Sequence, residues 1–539
     1  MVMQITEQKF GILSDFLGDH ENIPNIKMPS AYLPSSSGVF LQYGLLRTMP
    51  GANSGAFVDA GRVKVQTPDA NPIIRIWRHL SAAGIEYEFC FTKAYIYKWD
   101  ETTKQYDTFW TCAGDCTLWD SVSIDGKVIA TNGVDKVLVW HESTPGTIFV
   151  PLGSASGLDL NGLGTSYLTT AKYCATCEGY LILGATTEGG TYYGRRERWS
   201  DYNSVSGFNV NGNGDTYFKD FLEGSDVLKG FGNYSYGGTN YLVVFKAKST
   251  YVQWLVESLS VWNIDRLAGD VGLLATHSAV NDKEGNLYYF ASDYTVRKFR
   301  EGIISMPKDV TIRGMNITYQ DDIEATFIDS YNQIWWSIPS SLSSTGNDKI
   351  IALNLDNGVW HDYPFAIRAF GDWSQQESYT IDGLDALSTT IDGLDAVLPS
   401  IDYVSAIVGF PLDIGSDYSG YAYVLHSSET EKEVAVTREF VISTDLENGL
   451  ALGYFKRVSK IYVYIAGRST EGVISLFVKR DNEASWQSLG DISLLSDHKY
   501  IIVELAPDIR ARHFLIKGTS AVLFDVLGML FDFEPDSDR

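Results

Sequence analysis

Phe89-Cys90-Phe91-Thr92-Lys93-Ala94-Tyr95-Ile96-Tyr97-Lys98-Trp99 is an apolar, aromatic run, followed by a polar turn over residues 100–105 and a second aromatic run over 106–110. The same order of events returns along the chain. Residues 127–133 precede 136–140, residues 286–290 precede 295–299, and residues 334–338 precede 350–355 and Trp360. Aromatic and β-branched side chains suit a pleated, half-buried surface, and the Gly and Asp between them suit turns. Recurrence at roughly 40–50 residues, with about four strands per unit, is the pattern of a β-propeller. The predicted fold class is all-β: a propeller of six to seven blades over residues 61–430, then a β-sandwich over residues 431–533.

Working outward, residues 1–60 read as an extended N-terminal arm that lies on the body or on a neighbour. Ile23-Pro24-Asn25-Ile26 and Pro34-Ser35-Ser36-Ser37-Gly38 carry loop composition. The last propeller unit is interrupted by an insert at 378–400. It contains a near tandem, Thr380-Ile381-Asp382-Gly383-Leu384-Asp385-Ala386-Leu387 and Thr390-Ile391-Asp392-Gly393-Leu394-Asp395-Ala396-Val397. Its aspartates lack the dense oxygen ligands of a calcium loop, so the expected role is local backbone capping. The turn Asn209-Val210-Asn211-Gly212-Asn213-Gly214-Asp215 has one carboxylate and no distal Glu, and reads as a tight polar turn. Beyond residue 434, Ile461, Val463 and Ile465 alternate with Tyr462 and Tyr464, and Ile474, Leu476 and Val478 with Ser475 and Phe477. Six to eight such strands make a sandwich of ordinary size. Residues 534–539 read as a frayed tail.

Composition bounds the function. With 539 residues, of which 32 are Tyr, 26 Phe and 13 Trp, the chain can bury a large aromatic core. A formal net charge of −25 argues against a surface that grips duplex phosphates. It suits solubility, or a passage along which a polyanion slides without sticking. The N-terminal stretch has no basic region leading into an apolar core, and no segment has the length of a membrane span, so folding in the cytoplasm is expected.

Few motifs suggest chemistry. The five cysteines include Cys112/Cys116 (CxxxC) and Cys174/Cys177 (CxxC), with Cys90 apart. The two pairs could make a four-thiolate zinc site if the fold joined them, but the spacing favours buried reduced thiols. The eight histidines show no HxH or HxxxH pair, and no GxSxG, P-loop or GxGxxG occurs. The expectation is a non-enzyme with no catalytic, cofactor or metal residues. Arg195-Arg196-Glu197-Arg198-Trp199-Ser200-Asp201-Tyr202 is the most basic run. It reads as a strand end in which Arg198 stacks on a ring and pairs with Asp201, ahead of a phosphate contact.

Several motifs together carry a family resemblance. Arg47-Thr48-Met49-Pro50-Gly51 closes the arm. Arg198-Trp199-Ser200-Asp201 is followed by Gly207-Phe208-Asn209, and Thr131-Asn132-Gly133-Val134-Asp135 follows a strand. Residues 272–278 precede 285–290, and the tandem lies at 380–397. In these the chain resembles the tail nozzle proteins of short-tailed bacteriophages, also called tail hub or packaged-DNA stabilisation proteins. The resemblance implies a structural virion protein, assembled in the host cytoplasm and sited in the tail. It implies a ring, usually a homohexamer, below the portal and head–tail adaptor. Such a ring extends and gates the DNA exit channel and retains packaged DNA until infection. It lets double-stranded DNA pass without tight binding and offers docking surfaces to tail fibres or spikes. Two other readings stand beside it: a carbohydrate- or receptor-binding propeller of the phage tail, and a glycan-cleaving enzyme.

Overall fold

A computed structural model describes strands within residues 9–53 (9–13, 18–19, 32–33, 35–37, 39–42, 45–48 and 51–53). It describes 65–373 apart from 82–83, 101–102, 104, 144–147, 209–216, 257–260, 268–270, 305–311 and 313. It then describes 412–428, 438–443 and 456–535 apart from 468–471, 481–482, 495–500, 506, 508 and 512–513. The chain is nearly all-β, 59% strand against 3% helix, so the core is built from sheet faces. The tandem at 380–397, the rest of the 378–400 insert and the turn at 209–215 lie outside the described residues.

Among the described residues seven small antiparallel sheets follow one another, six of four strands and one of five. Sheet one holds Arg75–Leu80, Glu86–Phe91, Tyr95–Asp100 and Gln105–Thr111 in simple up-and-down order. The run at 89–99, expected as one strand, is a hairpin. Thr92 Oγ1 accepts the N–H groups of Ala94 (3.4 Å) and Tyr95 (3.1 Å), which reverses the chain and sets Tyr97 opposite Cys90. Sheet two runs from Asp120–Ile124 to Val150–Pro151, sheet three from Leu158–Asp159 to Phe218–Asp220, and sheet four from Leu228–Tyr236 to Trp262–Arg266. Sheet five runs from Ala279–Asn281 to Gly302–Ile303, and sheet six from Glu324–Ile328 to Trp360–Tyr363. Sheet seven holds Ala369–Trp373, Leu412–Ser416 and Ala422–Ser428, and takes its fourth strand, Gly51–Asn53, from the N-terminal segment.

Neighbouring sheets share apolar layers rich in rings. Trp335, Trp336, Trp360, Trp119 and Phe89 are fully buried between them. One strand of each small sheet (the leading strand, which is the first in six of them and the second in sheet three) touches its counterpart in the next sheet. Arg75–Leu80 lies by Asp120–Ile124, and that strand by Tyr167–Cys177. The series continues through Leu228–Tyr236, Ala279–Asn281, Glu324–Ile328 and Ala369–Trp373, and the last returns to Arg75–Leu80. Polar ties lock the joins. Trp119 Nε1 donates to Thr92 O (2.8 Å), Ala325 N to His277 O (2.8 Å), and Ser416 Oγ to Ile73 O (3.2 Å). Sheets four and five come so close that a Cβ on Gly272 would sit 2.0 Å from Lys246 O, so only glycine fits there.

Gly18–Asp19 and Tyr32–Leu33 form a short parallel pair, and the other remaining strands form two larger sheets over one apolar core. One has seven strands, centred on Lys456–Gly467 and Phe524–Pro535; the other has five, centred on Gly472–Arg480 and Phe514–Ser520. The N-terminal segment, expected as an irregular arm, contributes to both. Lys9–Leu13 pairs with Phe524–Pro535, Leu45–Thr48 joins the same strand, and Ser35–Ser37 pairs with Arg438–Ser443. These pieces are short and bracketed by Ser, Gly and Pro, so their composition resembles loop; the partners that order them lie about four hundred or more residues away. Of the tail expected over residues 534–539, the first two are corrected, and 536–539 lie outside the described residues. Glu534 and Pro535 continue the last strand, opposite Arg457 and Lys456.

Leu46 and Val39 are wholly buried in this shared core. Leu46→Ala is expected to cost about 2–5 kcal/mol, transfer plus cavity, read by urea unfolding. Val473, 45% exposed on a central strand, is the control, and its alanine variant should stay within about 1 kcal/mol. A Leu46→Ala variant as stable as wild type would mean that the N-terminal strands do not hold the two larger sheets together.

Candidate functional site: a polar cavity among the leading strands

The leading strands converge on a cavity of about 430 Å³. Small residues let the strands approach it: Ala175, Gly232, Ala279 and Ala325. Its polar wall comes from Arg75 and Trp77 on sheet one, Asp120, Ser121 and Ser123 on sheet two, and His277 just before sheet five. Two of the central charges open their strands, Asp120 and Glu324, where a strand end gives a carboxylate access to free backbone N–H groups.

Arg75 is the hub. Its Nη1 lies 3.3 Å from Glu324 Oε1, and its guanidinium stands 5.4 Å from the Trp77 ring centroid. Asp120 is already well supplied: Oδ2 accepts Cys174 N–H (3.0 Å) and Oδ1 accepts Ser121 N–H (2.9 Å). His277 Nε2 is 3.9 Å from Asp120 Oδ1, beyond hydrogen-bond reach. Arg368 pairs with Asp322 at 2.9 Å beside this group. Among the described residues Arg75 Nε, Ser121 Oγ, His277 Nε2 and Glu324 Oε2 find no hydrogen-bond partner. Ser121, His277 and Asp120 therefore do not form a hydrogen-bonded relay of the serine-hydrolase kind. The wall can bind water or a small polar ligand through a guanidinium, a hydroxyl and a neutral imidazole.

Burial sets the charge states. It pushes the Glu324 carboxyl up to about 7, against the pull of Arg75 and Arg368. It raises Asp120, opposed chiefly by Arg75. It drives His277 well below its ordinary value, and the nearby Arg75 and Arg368 add to that, so the ring is neutral at pH 7. Away from the cavity, burial pushes Glu197 up to about 8, with Gln253 opposing.

The structure places the sequence candidates elsewhere. Arg198 does stack on a ring, Phe218 at 4.8 Å, but its ion-pair partner is Glu188 (Nε–Oε1 and Nη2–Oε2 both 2.7 Å), not Asp201. Arg196 pairs with both Asp220 and Glu188. The basic run is thus neutralised within sheet three. Cys174 and Cys177 are three apart on one strand and point to opposite faces, Cys174 towards Leu181 and Leu183, Cys177 towards Trp199 and Trp262. They cannot combine with Cys112 and Cys116 in a four-thiolate site. Cys112 and Cys116 do come together, beside Asp135. The Arg75–Glu324–Asp120–His277 group was not foreseen. Its members are 45 to 249 residues apart, and the only local signal is an acid opening an apolar strand. No helix among the described residues is long and apolar enough to cross a membrane.

Glu324 takes its proton at higher pH when folded than when unfolded. Its contribution to stability is therefore complete below about 4.5 and is lost as pH rises from there through about 7. Arg75→Met strands the Glu324 carboxyl. The expected cost is about 3–5 kcal/mol at pH 8, where that group would be an unpaired buried charge, and clearly less at pH 5.5, where it holds its proton. Urea unfolding at the two pH values checks this; equal costs would refute the pairing. No family model and no curated protein matches the chain.

Proposed function

We propose that the chain is a structural subunit of a bacteriophage tail. Copies form a ring, a hexamer, below the portal and head–tail adaptor; the ring extends and gates the DNA exit channel and retains packaged DNA until infection. In this reading the seven small sheets are the blades of one propeller, since their leading strands neighbour one another in a closed cycle. The two larger sheets are a β-sandwich over one core.

The observation that carries the reading is the stitching of residues 9–53 into sheets built from residues 412–535. A part under load from compressed DNA must not unzip from an end, and here the N-terminal strands are paired into the far end of the chain. A second observation supports a path for DNA outside the single chain. The cavity among the leading strands, about 430 Å³, is too small for a duplex whose major groove alone is about 12 Å wide. Passage therefore requires a channel between copies. The net charge of −25 suits a wall that DNA slides past, and tail fibres or spikes would dock on the outer face.

One observation favours the second reading, a carbohydrate- or receptor-binding propeller of the tail. The cavity wall combines Trp77, Asn233 and Asn281 with the unpartnered Arg75 Nε and His277 Nε2, a set able to stack on a sugar and bond its hydroxyls.

Gold-labelled antibody to this chain, applied to intact particles, is expected to mark the tail close to the head base. Label confined to peripheral fibres would favour the glycan reading, and absence of label from complete particles would overturn both. The purified chain is expected to bind duplex DNA more weakly than about 10⁻⁴ M at physiological salt. Retardation at micromolar protein would sink the sliding-wall argument.

A further inference from the structure

Cys112 and Cys116 lie on the connection between sheets one and two, and Asp135 on the hairpin turn of sheet two between Lys127–Thr131 and Leu138–His141. One ligand atom of each lies within 4.8 Å of the others. Cys116 Sγ is 4.0 Å from Asp135 Oδ2. A tetrahedral Zn²⁺, at about 2.3 Å from sulfur and about 2.0 Å from oxygen, holds such atoms roughly 3.5–3.8 Å apart. Cys116 and Asp135 need to close by only about half an ångström to meet that geometry, and no pair of the three by more than about 1.3 Å.

The backbone under these side chains is fixed. Cys112 N donates to Ala94 O (2.8 Å) and Cys116 N to Lys93 O (2.9 Å), pinning the connection to the hairpin of sheet one. The turn Thr131-Asn132-Gly133-Val134-Asp135 is held by Asn132 Oδ1, which accepts Val134 N–H (2.9 Å) and Asp135 N–H (2.7 Å). Gly133 sits at φ +76°, a left-handed position, with its N–H on Ala171 O. That turn aims the Asn132 amide at two ligand atoms: Nδ2 lies 3.0 Å from Cys116 Sγ and 2.8 Å from Asp135 Oδ2. Ala113 N–H occupies Asp135 Oδ1 at 3.0 Å and leaves Oδ2 facing the thiols. Donors to a thiolate and a carboxylate are what an outer shell around a cation supplies.

The charge balance points the same way. Asp135 and Cys116 are buried, at 5% and 0% exposure, yet among the described residues no Lys, Arg or His forms an ion pair with Asp135. Two sulfurs and one oxygen suit a borderline-soft divalent cation, not calcium or magnesium.

The geometry points to a zinc site made by Cys112, Cys116 and Asp135, with Asn132 as its hydrogen-bonding support and a fourth position open at the half-buried Cys112 side. Binding releases the two thiol protons to solvent. The site ties the connection between sheets one and two to the hairpin of sheet two, and it is independent of the tail reading.

The test uses the full chain, stripped with a chelator, kept reduced, and titrated with Cd²⁺ and then Zn²⁺. Expected are a sulfur-to-cadmium charge-transfer band, its replacement by Zn²⁺, and a higher unfolding temperature in either metal. Cys112→Ser and Asp135→Asn should each weaken binding at least tenfold, and Asn132→Ala by about 10–100-fold. Cys174→Ser and Cys177→Ser should leave it unchanged. No band in the wild-type chain, or a band that forms in Cys112→Ser with undiminished affinity and intensity, overturns the assignment. Should Asp135→Asn fail to fold, the wild-type titration and Cys112→Ser, at a half-buried position, still decide it.

Discussion

A sheet of four strands has two edges, and each edge exposes a row of N–H and C=O groups that need partners. Disposing of those edges shapes this molecule. One strand of each small sheet meets its counterpart in the next, through side chains and a few hydrogen bonds. Sheet seven would end one strand short, but Gly51–Asn53 arrives from the other end of the chain and completes it. The same segment then fills out both larger sheets. The aromatic layers depend on these pairings, because register fixes which face of each strand looks inward.

Buried charge is handled in two ways. Away from the cavity some buried charges have complete partners: Lys246 is wholly buried and its ammonium meets Asp226 and the carbonyls of Phe221 and Glu223, while Arg198 grips Glu188 with two nitrogens. These arrangements order sheets three and four without asking anything of a ligand. Around the cavity the accounting stays open. Arg75 and Glu324 satisfy each other only in part, and His277 is held neutral with one nitrogen unengaged. Such incomplete satisfaction is affordable where water or a polar molecule can enter, and expensive elsewhere.

Much of the strand content was legible because it rests on local chemistry. Residues 334–338, 350–355 and Trp360 were read as strands and fall in sheet six, and the alternation at 461–465 and 474–478 marks the central strands of the larger sheets. The Thr92 turn was missed because its neighbours are as apolar as a strand; the reversal depends on one hydroxyl accepting two N–H groups. Gln487–Leu494 was missed because most of it faces solvent, with only Ile492 and Leu494 buried in the core and Leu489 packed partly against it. The N-terminal strands were missed for a different reason: a three-residue strand has no periodicity to read, and its existence is a property of its partner. The cavity group shares that limit. A pair such as Arg75 and Glu324 leaves no mark on either local sequence except a charge where an apolar residue would serve.

The same long-range pairing sets a timetable for synthesis. Lys9 lies opposite Phe533, and Gly51 opposite Ser428. At about 5–20 residues per second on the ribosome, the first of these waits roughly 26–105 s for its partner to be made. Sheets one to six can close as they emerge, since each is continuous in sequence. The N-terminal strands spend that interval as open templates in a crowded cell, able to pair with the wrong chain. Their brevity, and the serines and prolines between them, keep the templates poor until the right edge appears.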